Sequence, residues 1–442
     1  MLRDYQQDLF TKTLSSFRKG YHRPLVVAPC GAGKSYLFSE MARRTSGEVL
    51  VLVHRNELKQ QHVELLNTLG IKNTRVETYQ TEHRRLGQHP KPRLLIVDEA
   101  HLSRSNTWQT IIEYYDTYTV GFTATPVRLD GRPLGDIFDT LITGVDTRWL
   151  IENKRLAPYE YYAPTTVDTS GLTVARGDYV ISDLERLMNE RAIYGNVISS
   201  YRKFAPGEQT LVYCVSVNHA EQTSRAFGNA GIPAAYLSAN TPSKQRREIM
   251  EDFATGKITV LCNCTLLSEG ISIDEISCVI LLRPTESVAL GIQQMMRCMR
   301  YLPGKTAKII DCVGNYTRVG LPDDDREWSL SKPVPKRRRH DENGNFYIRC
   351  CPECFMTFKT APVCPFCGSE YPLHPREIKA HQDIELQRIT TEEAARVAEI
   401  KKAARVEQGR AATFEELIKL GRQRGYKNPA FWAAQIMRGR RR

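Results

Sequence analysis

Short, unbroken apolar runs separated by longer stretches of mixed polarity fill roughly the first 330 positions of this chain. The clearest runs lie at 25–28, 49–53, 94–98 and 119–123 and are rich in Val, Leu and Ile. Runs this short, without alternation, read as strands buried on both faces. Between them apolar residues recur at helical spacing, most plainly from Lys34 to Arg43. Strand and helix in alternation predict a parallel sheet with helices on both faces. The rhythm returns after about residue 205, with strands predicted at 211–214, 258–261, 278–282 and 308–311 and a helix starting near Val288. The expectation is an α/β chain with two tandem parallel-sheet domains, over 1–150 and 151–330. A length of 442 residues is too great for one core and agrees with that division.

The pattern changes beyond residue 330. Residues 331–348 form a Pro-rich basic linker around Lys336-Arg337-Arg338-Arg339, suited to lying on phosphates, to a nuclear signal or to plain solvation. Residues 349–372 hold a cysteine cluster, and 373–442 turn helical and basic. Thr390-Thr391-Glu392-Glu393 and Thr413-Phe414-Glu415-Glu416 both have capping-box spacing. Phe414, Leu417, Ile418 and Gly421 share one helical face, Gly425 supplies a stop, and Asn428-Pro429 opens a last helix carrying Phe431, Trp432 and Ile436. That helical pair has three readings: docking on the second sheet, binding DNA, or engaging a partner.

Chemistry concentrates at the ends of the first strands. Ala28-Pro29-Cys30-Gly31-Ala32-Gly33-Lys34-Ser35 joins a strand to a helix through a glycine turn. Backbone N–H groups of Gly31 to Lys34 at a helix start suit the β- and γ-phosphates of a nucleotide, Lys34 would neutralise their charge, and the Ser35 hydroxyl would take a position on Mg²⁺. The bland alternative is a tight turn under a helix. Asp98 and Glu99 end the run Leu94-Leu95-Ile96-Val97, where ligands bind in open α/β sheets. There Asp98 can hold the Mg²⁺ shell and Glu99 can polarise an attacking water. In the second block, Arg297 and Arg300 stand at i, i+3 with Gln293 before them, on one face of the expected helix. A cation brought from a second domain stabilises charge at a γ-phosphate; the alternative is a solvated basic face.

Net charge is +12 and uneven. From Lys332 to Arg442 there are 23 Lys/Arg against 13 Asp/Glu, so the C-terminal quarter carries most of the surplus. A polyanion is the partner this favours over a solubilising tail, and Arg438, Arg440, Arg441 and Arg442 would add salt-dependent binding. No apolar run approaches membrane length and the start is charged, so a cytoplasmic protein with no membrane partner is expected. Seven of the twelve cysteines are scattered in apolar segments as reduced core thiols. The other five cluster, and Cys351-Pro352-Glu353-Cys354 with Cys364-Pro365-Phe366-Cys367 present two C-P-x-C turns nine residues apart. Two such turns complete a tetrahedral Cys₄ site, so one structural Zn²⁺ is expected, with Cys350 a less well-spaced duplicate of Cys351.

In this order the motifs resemble the superfamily 2 nucleic-acid helicases and translocases of the DEAH type, over about residues 1–330. The resemblance makes both sheets RecA-like and implies that ATP closes them over a strand while hydrolysis reopens them. It assigns Arg3 and Gln6, within Leu2-Arg3-Asp4-Tyr5-Gln6, to the adenine-reading segment. Pro29, Cys30, Gly31, Ala32, Gly33, Lys34 and Ser35 form its phosphate loop. Arg55 (in Leu52 to Leu58), Thr78 and Gln80 would grip the nucleic-acid backbone, and Thr123 and Thr125 (in Gly121 to Pro126) would link hydrolysis to it. Glu269 and Gly270, within Ser268-Glu269-Gly270-Ile271, and Gln293, Arg297 and Arg300 match the last two motifs. His101 would couple the ATP site to the strand. Met296 and Ser272 depart from the family pattern, which predicts altered tuning. With the basic linker, Cys₄ ribbon and helical tail, the whole is similar to RadD-type DNA-repair helicases and related bacteriophage helicases. That implies DNA, single-stranded or branched, as substrate for a monomer in repair, recombination or replication, with recombination or single-strand-binding proteins as partners. Two other functions fit the same motifs: an RNA-acting enzyme of the superfamily, and a DNA-binding adaptor that uses ATP as a switch without unwinding.

Overall fold

The computed structural model describes residues 2–102, 106–128, 131–163, 174–175, 178–179, 193–238, 240–264, 275–332, 348–350, 357–359, 363–366, 368, 411, 413–423, 429, 433 and 437. Residues Met1–Arg376 and Glu377–Arg442 form two compact units.

The first unit contains two six-stranded sheets, each wholly parallel. Strands β1 (Pro24–Val27), β2 (Val49–Val53), β3 (Thr74–Thr78), β4 (Leu94–Val97), β5 (Tyr118–Thr123) and β6 (Thr140–Thr143) build the first, in the order β3-β2-β4-β5-β1-β6. Strands β7 (Tyr159–Tyr162), β10 (Thr210–Tyr213), β11 (Ala234–Leu237), β12 (Val260–Asn263), β13 (Cys278–Leu281) and β14 (Ala307–Asp311) build the second, ordered β11-β12-β10-β13-β14-β7. A short hairpin, β8 (Val174–Ala175) with β9 (Asp178–Tyr179), follows β7. The expected fold class is the one observed.

Strands β1, β2 and β4 are buried along their whole length, yet their side chains still alternate between faces. Val26, Val49, Val51, Val53 and Ile96 join a core that continues into the second sheet, while Leu25, Leu50, Leu52, Leu95 and Val97 pack on Trp108, Ile111 and Tyr115 behind the first. Burial on both faces is why these stretches read as unbroken apolar runs.

Helix α1 (Asp4–Arg18) precedes β1, and α2 (Lys34–Arg44) and α3 (Asn56–Thr68) follow β1 and β2. Two expectations need correction. Strand β12 begins two residues later than 258–261, at Val260, the Ile258 N–H being turned back to the Asp252 carbonyl of the preceding helix. The helix that opens at Val288, capped by the Ser287 hydroxyl, ends at Met295 and tightens to a 3₁₀ turn over Met296–Cys298. Arg297 lies in that turn. Arg300 lies beyond it, in an antiparallel bridge with Leu156, and the Ala157 N–H bonds the Met299 carbonyl at 2.8 Å. The two arginines are therefore not successive residues of one helical face.

In the C-terminal unit, the predicted capping box at Thr413 is present. The Glu416 N–H donates to Thr413 Oγ1 at 3.2 Å, and the Thr413 N–H donates to Glu416 Oε2 at 3.1 Å. The helix Phe414–Gln423 buries Leu417 and Leu420 and exposes Phe414, so its inner face is turned slightly from the expected one. The Thr390 box, Gly425 and the start of the last helix at Asn428 lie outside the described residues.

Candidate nucleotide site

The phosphate loop forms because two glycines adopt conformations other residues avoid. Gly31 has φ +82° and Gly33 φ +79°, the latter as the cap of α2. A Cβ at Gly33 would meet Gln6 Nε2 at 2.4 Å, so the loop accepts no side chain there. Gln6 and Tyr5 brace the loop from α1: Gln6 Nε2 and Tyr5 Oη donate to the Ala32 carbonyl at 3.0 and 3.1 Å. Gln6 Oε1 accepts from the Arg3 N–H at 2.9 Å. Pro29 closes the turn by accepting from the Ala32 N–H, and Ser35 lies in the first turn of α2, its carbonyl accepting from the Ser39 hydroxyl. The N–H groups of Gly31, Gly33, Lys34 and Ser35 donate to no acceptor among the described residues. Those orphan donors at a helix start form an anion cradle.

Lys34 Nζ lies 3.4 Å from the Ala28 carbonyl. Burial pushes its ammonium down, but Glu99, Cys30 and Asp98 outweigh that and hold it above the ordinary lysine value. Asp98 receives His62 Nε2 on Oδ2 at 2.8 Å and the Glu99 N–H on Oδ1 at 3.0 Å. Burial would raise its carboxyl, yet the His62 bond and the Lys34 charge carry it below the ordinary range. It stays an anion fit for a divalent cation. Sequence reasoning did not find His62, since the two residues are 36 apart and share no motif.

Glu99 has φ +48°, a left-handed backbone that is uncommon outside glycine. Its Oε2 is buried without a hydrogen bond, 3.4 Å from His101 Nδ1. A buried carboxylate oxygen lacking a donor is the group expected where a water is to be polarised. The lone Oε2, the orphan N–H groups and the hydroxyl and carboxylate of Ser35 and Asp98 together fit a nucleoside triphosphate with Mg²⁺.

A hydrogen-bonded relay leaves this site. His101 Nδ1 lies 3.1 Å from Thr123 Oγ1, which donates to the Thr125 carbonyl at 2.9 Å. On its other side, His101 Nε2 accepts from Gln293 Nε2 at 2.9 Å, joining the two sheets. The charges of Arg297 and Arg300 both lower the Cys30 thiol against the dominant upward push of burial, and Arg297 also acts on Lys34. The charges of both arginines therefore act on the phosphate loop, although no helical face aligns them. Leu156, whose backbone pairs with Arg300, also packs on the loop: a Cβ at Gly31 would lie 2.7 Å from its Cδ2.

The candidate nucleic-acid residues fare differently. Gln80 is exposed and Arg55 half-buried at the start of α3. Thr78 is buried, and its hydroxyl caps the helix Tyr79–Arg84 by accepting from the Thr81 N–H. Thr123 and Thr125 have no exposed surface and lie in the relay. Glu269, Gly270 and Ser272 lie outside the described residues. So do Cys351, Cys354 and Cys367, while Cys364 is buried in a turn closed by the Gly368 N–H. Cys350 sits in strand β15 (Ile348–Cys350), paired with Thr357 of β16 (Thr357–Lys359). Among the described residues no three His, Cys, Asp or Glu side chains converge as metal ligands, and no helix is long and apolar enough to cross a membrane.

Comparison with known proteins agrees with this arrangement. The profile described as "Type III restriction enzyme, res subunit" matches residues 1–88 and 71–128, and "Helicase conserved C-terminal domain" matches 191–302. The "51.5 kDa protein" of Lactococcus phage (isolate 7-9) is 37% identical over 375 residues, covering 83% of this chain and 82% of its own. The "Putative ATP-dependent helicase IRC3" of Saccharomyces cerevisiae is 28% identical over 382 residues, which is 74% of this chain but only 55% of that protein. A solved fragment of "a putative HsdR subunit of a type I restriction enzyme from Vibrio vulnificus YJ016" has the same fold, with TM-score 0.59 at 20% identity over 73% of this chain and 67% of the fragment. Two RecA-like sheets meeting at a phosphate loop define the helicase class of α/β proteins. The chain belongs to the superfamily 2 helicases, in one family with the Lactococcus phage 51.5 kDa protein.

Proposed function

We propose that this protein is an ATP-driven DNA translocase or helicase of the DEAH type, similar to RadD-type and bacteriophage helicases. The observation that carries the reading is the seam. Lys34, Asp98 and Glu99 belong to the first sheet, Gln293 of the second bonds His101 across it, and the charges of Arg297 and Arg300 act on Cys30 of the phosphate loop. ATP would lay its phosphates on the N–H groups of Gly31 to Ser35, with Lys34 against their charge. Mg²⁺ would be held by Ser35 and Asp98 and would neutralise phosphate oxygens. Glu99 Oε2 would take a proton as water attacks the γ-phosphorus and the bond to ADP breaks, while Arg297 offsets the developing charge. Breaking the Gln293–His101 bond would let the sheets part, which is the stroke that moves a strand.

DNA is favoured over RNA by the match to a restriction-enzyme subunit across the first 128 residues, and the basic C-terminal quarter supplies a polyanion partner. Phosphate release measured with single-stranded, forked and duplex DNA and RNA tests the reading. DNA should stimulate wild type but not Lys34→Ala; equal background rates in both would end it. ATP-dependent strand displacement separates a helicase from an ATP-switched adaptor.

The same proposal includes one structural Zn²⁺ on Cys351, Cys354, Cys364 and Cys367. Two paired strands that flank the first Cys pair in sequence and a glycine-closed turn at Cys364 support it. Metal analysis of reduced protein should find one zinc per chain, and Cys364→Ser should lose it.

A further inference from the structure

We propose that His62 is a positioning residue of the nucleotide site, holding Asp98 in the orientation that receives Mg²⁺ and keeping it from pairing with Lys34. This rests on the ATPase reading above and goes beyond it.

Three observations carry the assignment. The His62 side chain is buried, and among the described residues its only hydrogen bond joins Nε2 to Asp98 Oδ2, Nδ1 being buried without one. Among the described residues its polar capacity is spent on that one carboxylate. Its ring also stands edge-on to Phe38 of α2, 4.8 Å between centroids and 86° between planes. The helix that carries Lys34 and Ser35 therefore fixes the ring that fixes Asp98.

The chemistry assigns the proton. An ionised carboxylate only accepts, so Nε2 carries the hydrogen of this bond. With Oδ1 on the Glu99 N–H and Oδ2 on His62, rotation of the carboxylate plane is stopped from both sides. Without the His62 bond only one tether remains, and that torsion is otherwise soft. Lys34 is the nearby cation whose charge already acts on Asp98. A freed Oδ2 would turn toward that ammonium, taking both groups from their work on the nucleotide. Residues that orient a metal ligand in this way typically change metal affinity or activity about 10–100-fold when lost.

The test compares His62→Leu, His62→Gln and His62→Asn. Glutamine places an amide nitrogen where Nε2 stands, and asparagine places it nearer Nδ1. The readouts are binding of a fluorescent ADP across a Mg²⁺ titration, the same binding in EDTA, and Mg²⁺-dependent ATPase. His62→Leu and His62→Asn should raise the Mg²⁺ needed for half-maximal binding about 10–100-fold, with affinity in EDTA unchanged and His62→Gln close to wild type. Equal Mg²⁺ requirements in all four proteins would overturn the proposal. So would equal losses with and without Mg²⁺, the mark of a purely structural histidine. Should His62→Leu fail to fold, the Gln–Asn pair decides alone, and identical behaviour of the two overturns it. Failure of the ATPase reading looks different: wild type would itself neither bind ADP nor hydrolyse ATP at saturating Mg²⁺.

Discussion

Asp98 and Asp311 stand at the C-terminal ends of parallel strands, one in each sheet, and both are buried. Burial pushes each carboxyl upward. At Asp98 the His62 bond and the Lys34 charge reverse that push, and the group is held low. At Asp311 the Tyr161 hydroxyl, the Arg318 charge and the Tyr316 and Val313 N–H groups do not, and it stays raised. Tyr161 donates to Asp311 Oδ2 at 2.7 Å and Tyr316 N–H at 3.0 Å, so this aspartate ties β7, β14 and the following turn into a closed knot. Asp98 is held by His62 and the Glu99 N–H, with the charge of Lys34 acting on it. Two parallel sheets thus end a strand on the same residue type in opposite electrostatic settings, one carboxyl held low and the other raised.

Four experiments would break or sharpen this contrast. The second sheet should contribute a cation where the first contributes acids, so Arg297→Ala should slow hydrolysis about 10³–10⁵-fold while ADP binding survives; single-turnover phosphate release decides. Glu99→Gln should slow it about 10²–10⁴-fold, whereas Asp311→Asn should stay within about twofold under the same steady-state assay. Loss of activity at Asp311→Asn equal to that at Glu99→Gln would erase the distinction between the two strand ends. Gln293→Ala should reduce the stimulation by nucleic acid about 5–150-fold, the span of ordinary coupling energies, and leave the unstimulated rate near wild type.

The smallest effect concerns stability against pH. A lowered carboxyl adds stability that is complete above the ordinary aspartate range and fades as pH falls through its folded value. The deficit of Asp98→Asn should therefore shrink on acidification. A raised carboxyl favours the fold most below that range and loses its contribution as pH rises, so Asp311→Asn should fall further behind wild type toward pH ~4. Differences of about 1 kcal/mol are expected from one such bond. Urea unfolding at several pH values measures both, and slopes of the same sign would sink the comparison.

Much of the first sheet was legible because its strands are buried on both faces and carry unbroken Val, Leu and Ile. Edge strands were not: β7 is Tyr159-Glu160-Tyr161-Tyr162, whose polar ends give no buried-strand signal. The phosphate loop and the acidic pair were legible for a different reason, since each is local and its backbone geometry demands particular residues in succession. The arginines were recognised by type but misplaced on a helix. Helical spacing runs on through Arg300, and nothing local announces that Leu156, far back in the chain, will pair with it.

The chain's own order of residues determined the chemistry at hand: a glycine turn with Lys34 and Ser35, two acids on a strand end, arginines held in reserve. Those depend on interactions within a few residues, where side-chain type and backbone conformation are coupled directly. Tertiary structure alone decided which carboxylate would be a held anion and which a buried knot, and that His62, His101 and Gln293 would meet the site. Of the three, His101 and Gln293 were already named by their motifs and the fold added only their bond to each other, whereas His62 was found by the fold alone; such choices turn on burial and on partners distant in sequence, because the free energy of a charge depends on everything that surrounds it in space.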